Sequence, residues 1–445
     1  MSRVAMGVAI ALFTRDLRVH DNPMLTAAQR AGDAVVPLFV LDESLVTGSE
    51  AAPNRVRFLA AALDELGGEL RARGGHLVLR RGTVVDEVER IVAQSQAESV
   101  HLAAEVSHYG KRRESALRDR LESHGCRVHT HAATVTSVDL DAIEPSTGRD
   151  HFAVFTPYFR RWEAARHRRP LPPPKDLTVP SLEGKQPGLD KLRTARASPN
   201  LRVGGETTGR KMLCRWLSDP VTAYADANDD LAADATSHLS PYLHFGCLSA
   251  AEVVSRLDLS DPGAHSFARQ LAWRDFHHQV LAARPAAAWS DYRSGPVEVR
   301  KDEQAFEAWT HGRTGFPIVD APMRQLRDEG WMPGRARLIT ASFLAKTLRL
   351  DWRIGAAHFR YWLVDGDVAN NQMNWQWVAG TGTDTRPNRT LNPLRQANRF
   401  DPEGAYVRRW LPELAHLSGA SVHRPWREDV DVATYPAPIV EVPGM

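Results

Sequence analysis

Val8-Ala-Ile-Ala-Leu-Phe-Thr-Arg-Asp-Leu-Arg18 sets an unbroken apolar run directly against a cluster of charge. So short a run cannot span a membrane and reads as a strand buried on both faces. Runs of the same kind recur at Ala34 to Leu41, Leu77 to Leu79, Val100 to Ala103 and Val128 to His131, with helix-like stretches between them such as Arg55 to Arg73 and Lys111 to Ser123. This alternation implies a parallel sheet wrapped by helices, with ligands expected at the carboxyl ends of the strands. Because the first turn has no Gly-x-Gly-x-x-Gly, any ligand there is held otherwise than in a dinucleotide fold.

Outward from that strand, the N-terminus carries one positive charge and could pass for a weak signal peptide. Arg15, Asp16, Arg18, His20 and Asp21 follow without a small-residue cleavage site, so a cytoplasmic protein is expected. Residues 133–205 break the strand rhythm, and Pro170, Pro172, Pro173, Pro174 and Pro180 mark an irregular connector. From 206 onward apolar residues recur at helical spacing and no strand pattern remains. The expected organisation is α/β followed by all-α: an α/β domain over 1–132, the connector over 133–205 and a helical domain over 206–445.

Composition agrees with two packed domains: 445 residues, 43% hydrophobic and 25% charged, with no apolar run of membrane length. No membrane association is expected, and the chain reads as a monomer. Cys126, Cys214 and Cys247 are too scattered for a disulfide framework or a zinc site and read as small buried residues. Net charge is only +2, yet of 56 Lys+Arg just seven are lysine, a bias toward the forked side chain that suits phosphate.

Asp365-Gly-Asp-Val-Ala-Asn-Asn-Gln-Met-Asn-Trp-Gln-Trp-Val-Ala-Gly-Thr-Gly-Thr-Asp384 crowds carboxylates, asparagines and two tryptophans together. Polar and aromatic groups at this density are costly in a core and suit a pocket for a large, flat, polar ligand. Eleven of the twelve tryptophans lie beyond residue 215, which points to an aromatic-lined cavity or an aromatic redox path in the helical half.

These stretches, with Phe13-Thr-Arg-Asp-Leu-Arg-Val-His-Asp-Asn22, Phe152-Ala-Val-Phe-Thr-Pro-Tyr-Phe159, Thr236-Ser-His-Leu-Ser240, Trp273-Arg-Asp-Phe276 and Gly315-Phe-Pro-Ile-Val-Asp-Ala321, closely resemble the DNA photolyase and cryptochrome flavoproteins, nearest to bacterial class I cyclobutane pyrimidine dimer photolyases. The resemblance implies a Rossmann-like α/β domain that carries an antenna pigment, followed by an all-helical domain that binds FAD and damaged DNA. It places Tyr224, Thr236, Ser237, His238, Leu239 and Ser240 near the diphosphate, with Gln270 and Arg274 also at the cofactor. Arg337 and Asp365 match an ion pair above the flavin ring, Asp367 its pyrimidine side and Asn371 its N5. Thr236 and Ser237, taken alone, read as a helix cap.

The implied reaction is light-driven electron transfer from reduced FAD to a dimer flipped out of the duplex, with no acid, base or nucleophile needed. Trp273 and Trp377 would sandwich the dimer. Arg335, Arg386, Arg389 and Gln396 would meet the DNA around the cavity mouth, and Leu338 would touch the lesion. Trp375 and Trp352 match the inner and middle members of a tryptophan chain that photoreduces FAD. The outer position falls on Val299, so photoreduction should be slow or leave through another aromatic such as Trp309. His277 and His278 read as helix surface. The antenna is expected to be 8-hydroxy-5-deazaflavin, with methenyltetrahydrofolate as the alternative.

Gln270, Gly334 and Leu338 stand where glutamate, asparagine and methionine are usual, His238 replaces a common arginine and Pro333 a histidine. These departures motivate a second reading, a cryptochrome-like light sensor with weak or no repair. The absence of a long C-terminal tail after the last helical segment favours the repair enzyme. Repair of (6-4) photoproducts is disfavoured, because Pro333-Gly334 occupies the place of that branch's paired histidines.

Overall fold

Five strands, β1 (Val8–Leu12), β2 (Ala34–Leu41), β3 (Val78–Arg81), β4 (Ser99–Ala103) and β5 (Arg127–His131), pair in the order β3-β2-β1-β4-β5. Every neighbouring pair is parallel. The structure is a computed structural model and describes residues 7–46, 51–146, 148–184, 187–293, 299–386, 389–428, 431 and 433–441. By contacts the chain divides into two compact units. The first comprises Met1–Arg196, Arg202–Ser218 and Ser237–Pro285; the second comprises Ala197–Leu201, Asp219–Thr236 and Ala286–Met445.

In the first unit, β1 and β2 are buried along their whole length, as an apolar strand covered on both faces must be. Helices α1 (Pro23–Ala31), α2 (Pro53–Arg71), α3 (Val84–Ser95) and α4 (His108–Leu121) connect the strands. Val8, Ile10 and Leu12 join Val88, Ile91 and Leu117 in one core, while the alternate residues Ala9 and Ala11 turn to the other face. The expected strands are all present. β3 runs to Arg81 because Arg80 and Arg81 still pair with Val40 and Leu41 of β2, so ladder bonds override their charge. α2 begins earlier than its apolar pattern, at Pro53, where a missing N–H costs nothing, and Ser107 caps α4 by accepting from Gly110 N at 3.1 Å.

The turn after β1 is closed by its own side chains. Asp16, fully buried, accepts from Thr14 N at 2.9 Å, and burial holds its carboxyl above the usual range. Arg18 donates to the carbonyls of Asp21, Thr134 and Gly246, and Glu206 accepts from Val19 N and His20 N at 2.7 and 3.0 Å. Gly246, with φ +66°, must be glycine, since a Cβ there would collide with the Arg15 carbonyl. Among the further helices of this unit are α5 (Phe155–Ala164) and α6 (Pro262–Ala283).

The second unit is helical among its described residues apart from one isolated bridge, Arg300 to Leu350. Its frame is α7 (Pro317–Glu329), α8 (Gly334–Ser342), α9 (Trp352–Trp362), α10 (Val368–Ala379) and α11 (Pro393–Phe400). Trp309, Phe316, Phe343, Phe359 and Trp375 fill its core. Asp320, fully buried, ties the loop before α7: it accepts from Thr314 N, Thr314 Oγ1 and Gly315 N at 2.8, 2.7 and 3.1 Å, and from Tyr435 Oη at 2.5 Å. Burial outweighs these donors and pushes its carboxyl up to about 6.

Two expectations are corrected. Cys214 is exposed, whereas Cys126 and Cys247 are buried. His277 and His278 are each only 2% exposed, because α6 is covered on nearly every side and leaves little helix surface. No described helix is long and apolar enough to cross a membrane.

A histidine cluster around buried His101, with His131 half-buried and His129 exposed, gives the first unit a pH dependence. His101 stacks on His129 and His131 with centroids 4.9 and 5.2 Å apart, and its Nδ1 lies 3.0 Å from His131 Nε2. Burial first, then the neighbouring rings, lowers His101 to about 4 from 6.5. Between those values the unfolded chain binds protons that the folded one refuses, so stability should fall as pH drops from about 6.5 toward 4. Urea midpoints measured across that window should decline, and His101→Gln should flatten the slope.

Candidate functional site

Asp365 lies in the short turn between α9 and α10, where Val364 N donates to Gly330 O at 2.8 Å and anchors the turn. Arg337, on α8, donates from Nη2 to Asp365 Oδ2 at 2.8 Å and from Nε to Met332 O at 2.9 Å. The Asp365 side chain is 3% exposed, yet its Oδ1 has no partner. Leaving a buried polar atom unpaired costs about 1–3 kcal/mol, so such an atom argues for a ligand.

Asp367 caps α10 by accepting from Asn370 N at 2.8 Å, and Asn371 and Trp375 follow at intervals of four on the same helical face. Asn371 donates both amide hydrogens, to Ala356 O at 3.0 Å and Gln372 Oε1 at 2.9 Å, which leaves its carbonyl oxygen to offer. Trp375 is 2% exposed and its Nε1 is unpartnered. Phe359 and Trp309 meet it edge to face at 5.0 and 6.1 Å, and Gly355 of α9 lies so close that a Cβ would collide with the indole. Trp352 donates from Nε1 to Asp291 Oδ1 at 2.8 Å. Tyr224 and Thr236 also belong to this unit, both mostly buried, and Thr236 Oγ1 is another buried atom with no partner.

The other cofactor candidates fall in the first unit. Ser237 Oγ accepts from Leu239 N at 3.3 Å, His238 takes φ +51° with its Nδ1 3.0 Å from Arg202 Nη2, and Ser240 starts a short helix to His244. Gln270, Trp273 and Arg274 share one face of α6. Gln270 is exposed. Arg274 spends its guanidinium on Val135 O at 2.8 Å and Leu243 O at 3.3 Å, so it ties the scaffold of its own unit. Trp273 is half-buried with one face stacked on Phe155, centroids 3.7 Å apart and planes 6° apart.

Among the DNA candidates of the second unit, Arg335 is already engaged, forked onto Asp229 at 3.1 and 2.5 Å with Cζ 4.3 Å above the Phe400 ring. That geometry positions α8 rather than leaving a free cation. Arg386 and Arg389 are exposed, and Trp377 and Leu338 are half-buried. Gln396, on α11, has its Oε1 buried and unpartnered. Val299 is 46% exposed. Gly334 opens α8 with open space where a Cβ would stand.

Residues 9–175 match the family model described as DNA photolyase, and residues 267–444 match the FAD binding domain of DNA photolyase. Together these cover most of the chain. The chain belongs to the DNA photolyase family. A deoxyribodipyrimidine photo-lyase of Streptomyces griseus is 53% identical over 441 residues, covering 98% of this chain and 97% of that protein. A class III photolyase structure from Agrobacterium tumefaciens superposes with TM-score 0.90 at 32% identity, covering 99% of this chain and 96% of that one. A Synechocystis cryptochrome superposes with TM-score 0.91 at 29% identity, covering 99% and 98%.

The photolyase FAD-binding domain thus spans Gln270, Arg337, Asp365, Asp367, Asn371 and Trp375, while Tyr224 and the run from Thr236 to Ser240 precede it. Sequence reasoning missed Asp275, which is fully buried and accepts from Ser137 N at 3.0 Å and Trp162 Nε1 at 3.1 Å. It missed Asp291 as well. A carboxylate beside an aromatic in one stretch gives no hint of the distant indole it meets.

The Gly355 contact supplies a test. Gly355→Ala should destabilise the protein by about 1–3 kcal/mol, the usual cost of overpacking, and shift the Trp375 near-ultraviolet circular dichroism.

Proposed function

We propose that this chain is a light-driven deoxyribodipyrimidine photo-lyase that holds FAD in its helical domain and repairs cyclobutane pyrimidine dimers in DNA. The observation that carries this is the half-satisfied Asp365, paired with Arg337 on one oxygen and orphaned on the other, on the same turn and helix as Asn371 and Trp375. Thr236 Oγ1, Trp375 Nε1 and Gln396 Oε1 are further buried polar atoms without partners in that unit, which suits a large polar cofactor. Reduced FAD, when bound, supplies the electron that splits the dimer's two carbon–carbon bonds under light and is then returned.

The protein's own residues bind, orient and shield. Arg337 and Asp365 form a neutral pair that sets the local field without adding net charge. Asn371, with both N–H groups committed, accepts through its carbonyl oxygen and so favours a protonated flavin N5. Asp367 sits at the pyrimidine side, with Tyr224, Thr236, Ser237, His238, Leu239 and Ser240 along the diphosphate. Trp375 and then Trp352 pass electrons to the flavin during photoreduction.

For DNA, Trp273 and Trp377 stack on the flipped dimer, Gln270 and Leu338 touch it, and Arg386 and Arg389 supply exposed charge for the backbone. Arg335 acts through Asp229 and Phe400, and Gln396 lines the cavity. The antenna, 8-hydroxy-5-deazaflavin in this reading, binds in the α/β domain of residues 1–132, with 133–205 as connector and 206–445 as catalytic domain. The protein works in the cytoplasm as a monomer.

Gly334 favours a second reading. Its open space removes a lesion contact, so a light sensor that keeps FAD without repair is the alternative. Illuminating the reduced protein with dimer-containing oligonucleotide decides between them: loss of the lesion is expected, and intact lesion despite bound, reduced FAD establishes the sensor.

Two variants test the site. Asp365→Asn should lower FAD retention on purification, read from the flavin absorbance per chain. Trp377→Ala should weaken binding to dimer-containing DNA by about 1–3 kcal/mol while leaving FAD bound, measured by titration at fixed salt.

A further inference from the structure

Trp352 is almost wholly buried, and its indole N–H points at a carboxylate. Asp291 Oδ1 accepts from Trp352 Nε1 at 2.8 Å and from Arg353 Nη2 at 3.0 Å. Arg353 lies with Cζ 4.8 Å over the Trp352 ring, and its other groups reach Asp351 Oδ1 at 3.1 Å and Trp289 O at 2.9 Å. Asp291 keeps 28% of its side chain in contact with water. All of these residues belong to the second unit.

An indole that has lost one electron is a far stronger N–H acid than indole itself. Whether it keeps its proton depends on the nearest base and the nearest charge. Here the nearest base is the Asp291 carboxylate, already at hydrogen-bond distance. The nearest charge is a guanidinium above the ring face. That cation attracts the neutral ring but repels a positive one, so it disfavours the protonated radical. Both neighbours therefore drive the oxidised indole toward proton loss, and Val299 leaves no aromatic at the place where a third tryptophan is expected.

We propose that Trp352 is the terminal internal electron donor of photoreduction and that Asp291 is its proton acceptor, so that the oxidising equivalent is trapped as a neutral indolyl radical. The proposal rests on the reading of Trp375 and Trp352 as consecutive donors to the photoexcited flavin. One electron leaves Trp352 for oxidised Trp375. The Trp352 Nε1–H bond then breaks, an O–H bond forms at Asp291 Oδ1, and the proton passes to water through the exposed part of the carboxylate. An external thiol returns one electron and a proton restores the indole, leaving the flavin reduced. Proton loss removes the charge that would draw the electron back, so a chain of two tryptophans suffices where the outer member is valine.

Transient absorption of the FAD-loaded protein separates the cation and neutral forms of the tryptophan radical by their visible spectra. In the unaltered protein the neutral radical should form at a rate independent of buffer concentration. Asp291→Asn keeps an acceptor for the indole N–H but not the base. There the cation should persist, lose its proton ~100-fold more slowly, at the low end of what a positioned base contributes, and do so in proportion to buffer. Asp291→Glu should restore buffer-independent formation. Trp289→Phe should leave the radical signal as it is. Neutral-radical formation at an unchanged rate in Asp291→Asn overturns the role of Asp291, and loss of the signal in Trp289→Phe overturns Trp352 as the terminus. If the unaltered protein with FAD bound forms no tryptophan radical at all, the electron path itself fails and the proposal with it.

Discussion

A carboxylate withdrawn from water and bound on one oxygen only is an arrangement a protein does not keep without a reason. Asp365 is in that state, and the elements around it are arranged to hold it there. Arg337 reaches it from α8, Val364 pins the turn that carries it, and Asp367 starts the helix that presents Asn371 and Trp375. Removing the pair's partner would leave an uncompensated buried charge, which is costlier than never having buried it. The geometry is therefore stable only as a whole.

The contrast with the turn after β1 is instructive. That turn is just as rich in charge, with Asp16, Arg18 and Asn22 all buried, yet the bonds of Arg18 end on the protein's own carbonyls and Glu206 reaches in to receive the backbone amides of Val19 and His20. Density of polar residues does not separate a ligand site from a structural knot. What separates them is whether both oxygens of the buried carboxylate are satisfied from within, as those of Asp16 are and those of Asp365 are not. Asp320 and Asp275 belong with the knots, closed by nearby backbone amides and by Tyr435 or Trp162.

The same distinction sorts the arginines. Arg335 and Arg274 occupy expected functional positions but are consumed by Asp229 and by backbone carbonyls, and so act by positioning their helices. Arg386 and Arg389 remain exposed. Replacing a forked, stacked arginine with lysine would disturb the frame, whereas the same change at an exposed one alters only charge geometry.

The strands were legible from the chain alone, because unbroken apolar runs such as Ala34 to Leu41 can be satisfied only between two covered faces, and the helical half was legible from its periodicity. The polar and aromatic run from Asp365 to Asp384 raised the expectation of a ligand pocket, and the structure leaves Asp365 Oδ1 and Trp375 Nε1 of that run buried without partners. Sequence could not show that His277 and His278 are buried, that both amide hydrogens of Asn371 are committed, or that Asp291 receives the indole of Trp352. Those facts depend on contacts between residues far apart in the chain. Local pattern reports which face a residue shares with its neighbours along the chain, but the partner of a buried polar atom is chosen only when distant segments pack.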